Sequence, residues 1–205
     1  MRTILLTLCL FMGTILSAQN NVLIEIENAN AAYKVITGDF VRTQTNVAKG
    51  TSIKVDGMLY IVGEDQMAQY YKAPSTDLLI INGNDFYMIR GKKTNKFNTE
   101  KNKTMRSLRN TLLYCVHGKP MVLATENGAE ITAEKKANEY EVVLISTKKT
   151  ARGYAKIVLT YDLKSKLLTK MQMDEYNGNS TLYEMNNLKT NGNIDAKVFD
   201  IPEKK

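Results

Sequence analysis

The sequence predicts a mainly β (α+β) protein built as a strongly curved antiparallel meander, with helices in its concavity or over its mouth. Three observations predict it. Most of the chain alternates apolar and polar residues with a period of two, segment after segment, between short runs of turn residues. Only two segments carry a helical period, one near the N-terminus and one in mid-chain. And the segments 167–175 and 181–188 flank Asn177-Gly178, a dipeptide suited to a hairpin turn, with Leu167, Met171, Met173, Thr181, Tyr183 and Met185 on one face and Lys170, Gln172, Glu184 and Asn186 on the other.

Taken in order, the chain opens with Arg2, an apolar run at 4–16 and the small residues Ser17 and Ala18, the layout of a cleavable signal peptide over residues 1–19. A membrane anchor is the competing reading, but the run is shorter than the roughly 20 residues that span a bilayer. Without those 19 residues, whose one charge is Arg2, the remaining 186 residues carry a net charge of +6. They would form one domain, 20–205. Cys9 would leave with the signal, so Cys115 has no disulfide partner within the chain. An exported basic protein meets anionic headgroups or acidic protein surfaces sooner than nucleic acid.

Val22, Ile26, Ala29, Tyr33 and Ile36 recur every three or four residues and predict a helix over 22–36, ended by Thr37-Gly38. Strands are expected at 40–45, 53–62, 67–71, 78–81 and 86–90. Met105, Leu108, Leu112 and Val116 then share one face of a second helix, with Gly118 and Pro120 as its stop. Residues 129–138 read equally as helix or loop. Strands resume at 140–146, 155–161, 167–175 and 181–188. About nine strands must stack as two sheets or curl as one, and short turns between neighbours favour one curled sheet.

Catalytic patterns are missing. His117 is the sole histidine, which excludes a His-rich metal site. Cys115 and His117 are two residues apart, pointing some 200° from each other on a helix, and read as a buried thiol and a helix-end histidine. There is no Gly-rich phosphate loop, no nucleophile elbow and no EF-hand spacing. The chain is therefore expected to be a binding protein rather than an enzyme, without cofactor or metal.

The run GMLYIVGEDQMAQYYKAPSTDLLIINGNDFYMI at 57–89 resembles the diagnostic block of the LolA lipoprotein carriers: a glycine opening a strand, an aromatic at Tyr60, an apolar strand, Pro74, a strand ending before Gly83 and a further aromatic strand. YNGNSTLYEMNNLKTNGNIDAKVFDIP is similar to the family's closing pattern, with Phe199 and Pro202 at its marked positions. The resemblance implies an unclosed, strongly curved antiparallel half-barrel whose helices form a lid over a vacant apolar cavity. It implies a periplasmic carrier, or chaperone, that ferries acylated lipoproteins from an inner-membrane ABC lipoprotein exporter (LolCDE-like) towards an outer-membrane acceptor, as a monomer in transient contact with membrane surfaces. A sensor or adaptor that binds lipids or lipoproteins without transporting them is the alternative. The family's usual Arg-Pro pair, whose arginine helps hold the lid, reads Gly63-Glu64 here.

On that scaffold the odd-numbered register gives Leu59, Ile61, Met67, Tyr71, Leu79, Ile81, Met171, Met173, Tyr183 and Met185 as the lining of the acyl-chain cavity. Ile26, Tyr33, Met105, Leu108 and Leu112 would form the underside of the lid. Methionine suits such a wall, because its unbranched side chain repacks as cargo enters and leaves. Lys92, Lys93, Arg106 and Arg109, in a stretch from 90 to 119 with a single acidic residue, Glu100, are candidates for a docking surface.

Overall fold

The computed structural model describes residues 21–148 and 153–201. The expected signal peptide at 1–19, with Cys9, and Pro202 lie outside the described residues.

A helix over 21–31 (α1) leads into β1 (Val35–Asn46), β2 (Thr51–Val62), β3 (Gln66–Tyr71), β4 (Leu78–Asn82), β5 (Asp85–Arg90) and β6 (Lys93–Asn98). Two helices follow, α2 (Lys103–Val116) and α3 (Pro120–Asn127), then β7 (Ala129–Lys135), β8 (Glu139–Ser146), β9 (Tyr154–Asp162), β10 (Leu168–Glu175), β11 (Ser180–Thr190) and a 3-10 turn, Ala196–Phe199. The eleven strands form one antiparallel sheet in the order β6-β5-β4-β3-β2-β1-β11-β10-β9-β8-β7. Each half is a meander of hairpins, and the long pairing of β1 with β11 joins them. Because α2 and α3 connect β6 to β7, the two free edges, they must cross the open side of the curved sheet. Both edges carry charges, Lys93 and Lys96 on one, Glu130, Glu134 and Lys135 on the other, which discourages further strand addition.

Several expectations are corrected. The first helix stops at 31, and Val35 and Ile36 belong to β1, where Ile36 lies between Ile61 and Thr190; the β-branched run Val35-Ile36-Thr37 suits a strand better than another helical turn. The stretch 93–98, which the sequence pattern leaves unassigned, is β6, a strand paired to β5. Residues 129–135 are β7, neither helix nor loop. Pro120 does not merely stop α2. It occupies the first turn of α3, where its missing N–H costs nothing. The β10–β11 connection is wider than a two-residue turn: the N–H of Glu175 donates to the carbonyl of Asn179 (2.8 Å), and only Gly178 within it has positive φ (85°).

The sheet also has a second apolar face. Leu78-Leu79-Ile80-Ile81 is buried throughout, with Leu79 and Ile81 on the concave side and Leu78 and Ile80 beneath Phe199 on the convex side, beside Ala68, Tyr87 and Ile89. A continuous apolar run is the signature of a strand covered on both faces.

Candidate functional site

Registration across the sheet brings the predicted lining residues together. Ile61 pairs with Met67, which pairs with Ile81; Leu59 reaches Leu79 through Gln69; and Met171 pairs with Tyr183. Leu59, Ile61, Met67, Leu79, Ile81, Met171, Met173, Tyr183 and Met185 are buried in one concave-face cluster, with Tyr71 half-buried against it. The same cluster contains Ile26, Met105 and Leu112, with Tyr33 and Leu108 packed at its border. Residues outside the predicted lining and lid set complete it: Leu23 and Ile36, Phe40, Leu113 and Val116 of α2, and Leu123 and Ala124 of α3.

The middle of this shared cluster, around Leu59, Ile61 and Met185, is closely packed. One small cavity there, lined by Ile36, Leu59, Ile61, Val116, Leu167, Leu168, Met185 and Leu188, holds about 10 Å³. That is scarcely room for one water molecule. Alternation fixes which side chains face inward, while the gap between helix and sheet depends on long-range packing: it is closed beside Leu59 and Met185 and wider along the N-terminal half of α2. Larger open volumes lie between α2 and the β8–β10 side of the sheet. A cleft of about 390 Å³ is bounded by Lys103, Thr104, Ser107, Leu108, Gly153, Tyr154 and Glu175. An adjoining one of about 360 Å³ shares Ser107, Gly153 and Tyr154 and continues along Glu126, Asn127, Ala129, Leu144, Ser146, Lys148 and Ile157.

Polar fastenings hold the lid elsewhere. Asn102 caps α2 by accepting from the N–H of Met105 (3.0 Å). Arg109 donates to the carbonyl of Gly83 (2.7 Å), and Arg106 donates to those of Thr99 (2.9 Å) and Glu100 (2.6 Å). Both arginines are therefore staples of α2 to the β4–β5 and β6–α2 connections, while Lys92 and Lys93 stand exposed at the β5–β6 turn without an ion pair among the described residues. Where the family's arginine is replaced, Gly63 turns the chain at φ 56° and Glu64 pairs with Lys119 (2.9 Å) between α2 and α3. At the far end the Tyr161 hydroxyl donates to the carbonyl of Cys115 (2.8 Å).

α1 is tied to the β9–β10 turn. Asn30 donates to the carbonyl of Lys166 (2.8 Å), the Tyr33 hydroxyl to that of Ser165 (2.8 Å), and Lys166 pairs with Glu25 (2.7 Å), which also accepts from Tyr140 (2.9 Å). The Lys166 and Tyr140 bonds hold the Glu25 carboxyl below its ordinary range. Gly118 lets α1 come this close, since a Cβ there would lie 2.8 Å from Asn30 Nδ2 and 2.9 Å from Ile26.

The buried titratable groups match no hydrolytic site. Burial raises the Cys115 thiol and lowers the His117 imidazole to about 4, Lys119 adding to the fall and Glu64 opposing it. Among the described residues no three His, Cys, Asp or Glu side chains gather as metal ligands, and no helix is long and apolar enough to cross a membrane.

Solved structures share this architecture. A DUF1329 family protein from Desulfovibrio piger superposes with a TM-score of 0.51 at 10% identity, covering 91% of this chain and 97% of that one. An uncharacterized conserved protein from Thermus thermophilus gives 0.54 at 8% identity, covering 90% and 94%. A putative outer membrane lipoprotein-sorting protein domain from Vibrio parahaemolyticus gives 0.48 at 12%, covering 90% and 97%. No curated protein matches the chain by sequence. The profile of the outer membrane lipoprotein carrier protein LolA matches residues 31–202, and this chain belongs to that family.

Proposed function

We propose that the protein is an exported carrier that takes the acyl chains of lipoproteins between its lid and its half-barrel and moves them through the periplasm. Residues 1–19 would direct export and 20–205 would be the carrier. The observation that supports this best is the methionine-bearing apolar surface, shared by an open-edged sheet and a lid held to it by a few hydrogen bonds at its ends. An exposed chain of about sixteen carbons costs on the order of 10 kcal/mol in water. Hiding it takes a pocket of about 300–1,000 Å³, so the lid must lift by separating from Met171, Met173 and Tyr183. The clefts beside Ser107 and Leu108 mark the flank where that separation would start. Methionine side chains then re-form a wall around whatever enters.

Inner-membrane vesicles bearing the exporter and a labelled lipoprotein provide the test. With ATP, the mature protein should draw the lipoprotein into a soluble one-to-one complex. Lys92 and Lys93 are proposed to dock the carrier on the anionic membrane or the exporter, so reversing both to Glu should reduce release and its dependence on salt. Release by the reversed variant equal to wild type, at every salt concentration, removes docking from the account.

The close packing around Leu59, Ile61 and Met185 favours a second reading, an envelope sensor or adaptor that opens for amphiphiles but does not transport them. Binding of lipoproteins in detergent without release from vesicles would identify it.

A further inference from the structure

We propose that the concave interior contains a binding site for an anionic group, centred on Arg42, and that the amphiphile it accepts carries a carboxylate or phosphate beside its acyl chain. Arg42 lies on β1 two residues after the buried Phe40, opposite Val55 on one side and Tyr183 on the other, so its side chain enters the concave face. One guanidinium nitrogen donates to the Tyr71 hydroxyl (2.7 Å), and the guanidinium carbon is 4.7 Å from the centre of the Tyr71 ring. Phe40 packs edge-on against that ring at 5.1 Å.

The group has donors in excess of acceptors. Nε of Arg42 is buried with no hydrogen-bond partner, and no carboxylate among the described residues pairs with the guanidinium. Tyr71 passes its own hydrogen to Oε1 of Gln69 (3.2 Å). The Gln69 amide, 3% exposed, donates only to the sulfur of Met67 at 3.8 Å, a weak acceptor. A half-buried guanidinium whose Nε is shut off from water without an acceptor or counter-charge is costly, and the π-face of Tyr71 offsets only part of that cost. A carboxylate or phosphate would supply the missing acceptors and match the planar fork of the guanidinium. No feature of an ordinary apolar core calls for this arrangement.

The proposal rests on the interior being an acyl-chain site, and three amphiphiles separate the two claims. Palmitic acid, hexadecyl phosphate and hexadecanol are titrated against the mature protein by displacement of a fluorescent fatty-acid probe. Wild type should prefer the acid, the phosphate or both over the alcohol by roughly ten- to a hundredfold, and the better of the two identifies the headgroup. Arg42→Met should abolish the preference while leaving hexadecanol unchanged, and Arg42→Lys should keep part of it. Should Arg42→Met fail to fold, Arg42→Gln replaces it. Equal affinity of wild type for acid and alcohol, or a preference that survives loss of the guanidinium, overturns the anion site and leaves the acyl-chain reading standing. Failure of all three to bind overturns both.

Discussion

His117 closes α2 with its ring buried, Nε2 unpartnered and 7% of the residue exposed. From sequence alone, His117→Ala is expected to be silent; burial makes the residue a determinant of acid stability instead. Its imidazole, ordinarily near 6.5, is lowered to about 4, first by burial and then by Lys119, with Glu64 pulling the other way. The folded protein thus refuses a proton that the unfolded chain accepts. Stability supplied by the neutral ring is complete above pH ~6.5, declines as pH falls towards 4 and is gone below it. At ~1.4 kcal/mol per pH unit, the displacement is worth about 3 kcal/mol, a large fraction of a typical folding free energy. Urea unfolding of wild type and His117→Leu at pH 7, 5.5 and 4 measures it. The variant should lack that part of the acid-induced loss, so its stability relative to wild type should rise by about 3 kcal/mol from pH 7 to pH 4. Parallel stability profiles for the two proteins would refute the reasoning, because they would mean that the ring reaches water or a partner in the folded state.

Gly57→Ala should destabilise severely: the added Cβ would lie 2.2 Å from the Tyr70 carbonyl oxygen and 2.7 Å from the Phe40 ring, a clash worth about 3 kcal/mol, read as a fall of roughly 6–12 °C in Tm. Asn102→Ala removes the cap of a helix with no acidic residue in its first turn and should cost about 1 kcal/mol, measured by urea midpoint. Met171→Glu places a carboxyl at a site 1% exposed within the concave-face cluster. It should lose about 3 kcal/mol or more at pH 7 and regain part of this at pH 5, as the buried carboxyl takes up a proton. Unchanged stability at both pH values would mean that the interior opens freely.

Much of the fold could be read without coordinates because strand alternation is a local property. Met171, Met173, Tyr183 and Met185 share a face through their spacing, and the tertiary structure only decides what that face meets. The run at 78–81 carries a further signal that the alternation reading does not use, a strand apolar on both sides, and the structure covers its second face under Phe199. Pro120 reads only as a stop, although a proline suits the start of a helix as well as the end of another, and 129–138 stays open because Ala129–Lys135 mixes charged and small residues that form a strand only once β8 is beside it.

The sequence by itself determined the mainly β class, the inward residues of the strands, the two longer helices and membership of the LolA family, since each depends on short-range periodicity or an ordered set of motifs. Only the tertiary structure decided where the lid packs closely on the sheet and where it leaves clefts, that Arg106 and Arg109 hold the lid while Lys92 and Lys93 remain exposed, and that Arg42 has no counter-charge among the described residues. Those properties depend on distances between groups up to a hundred or more residues apart in the chain, set by how the lid and the two halves of the sheet settle against one another.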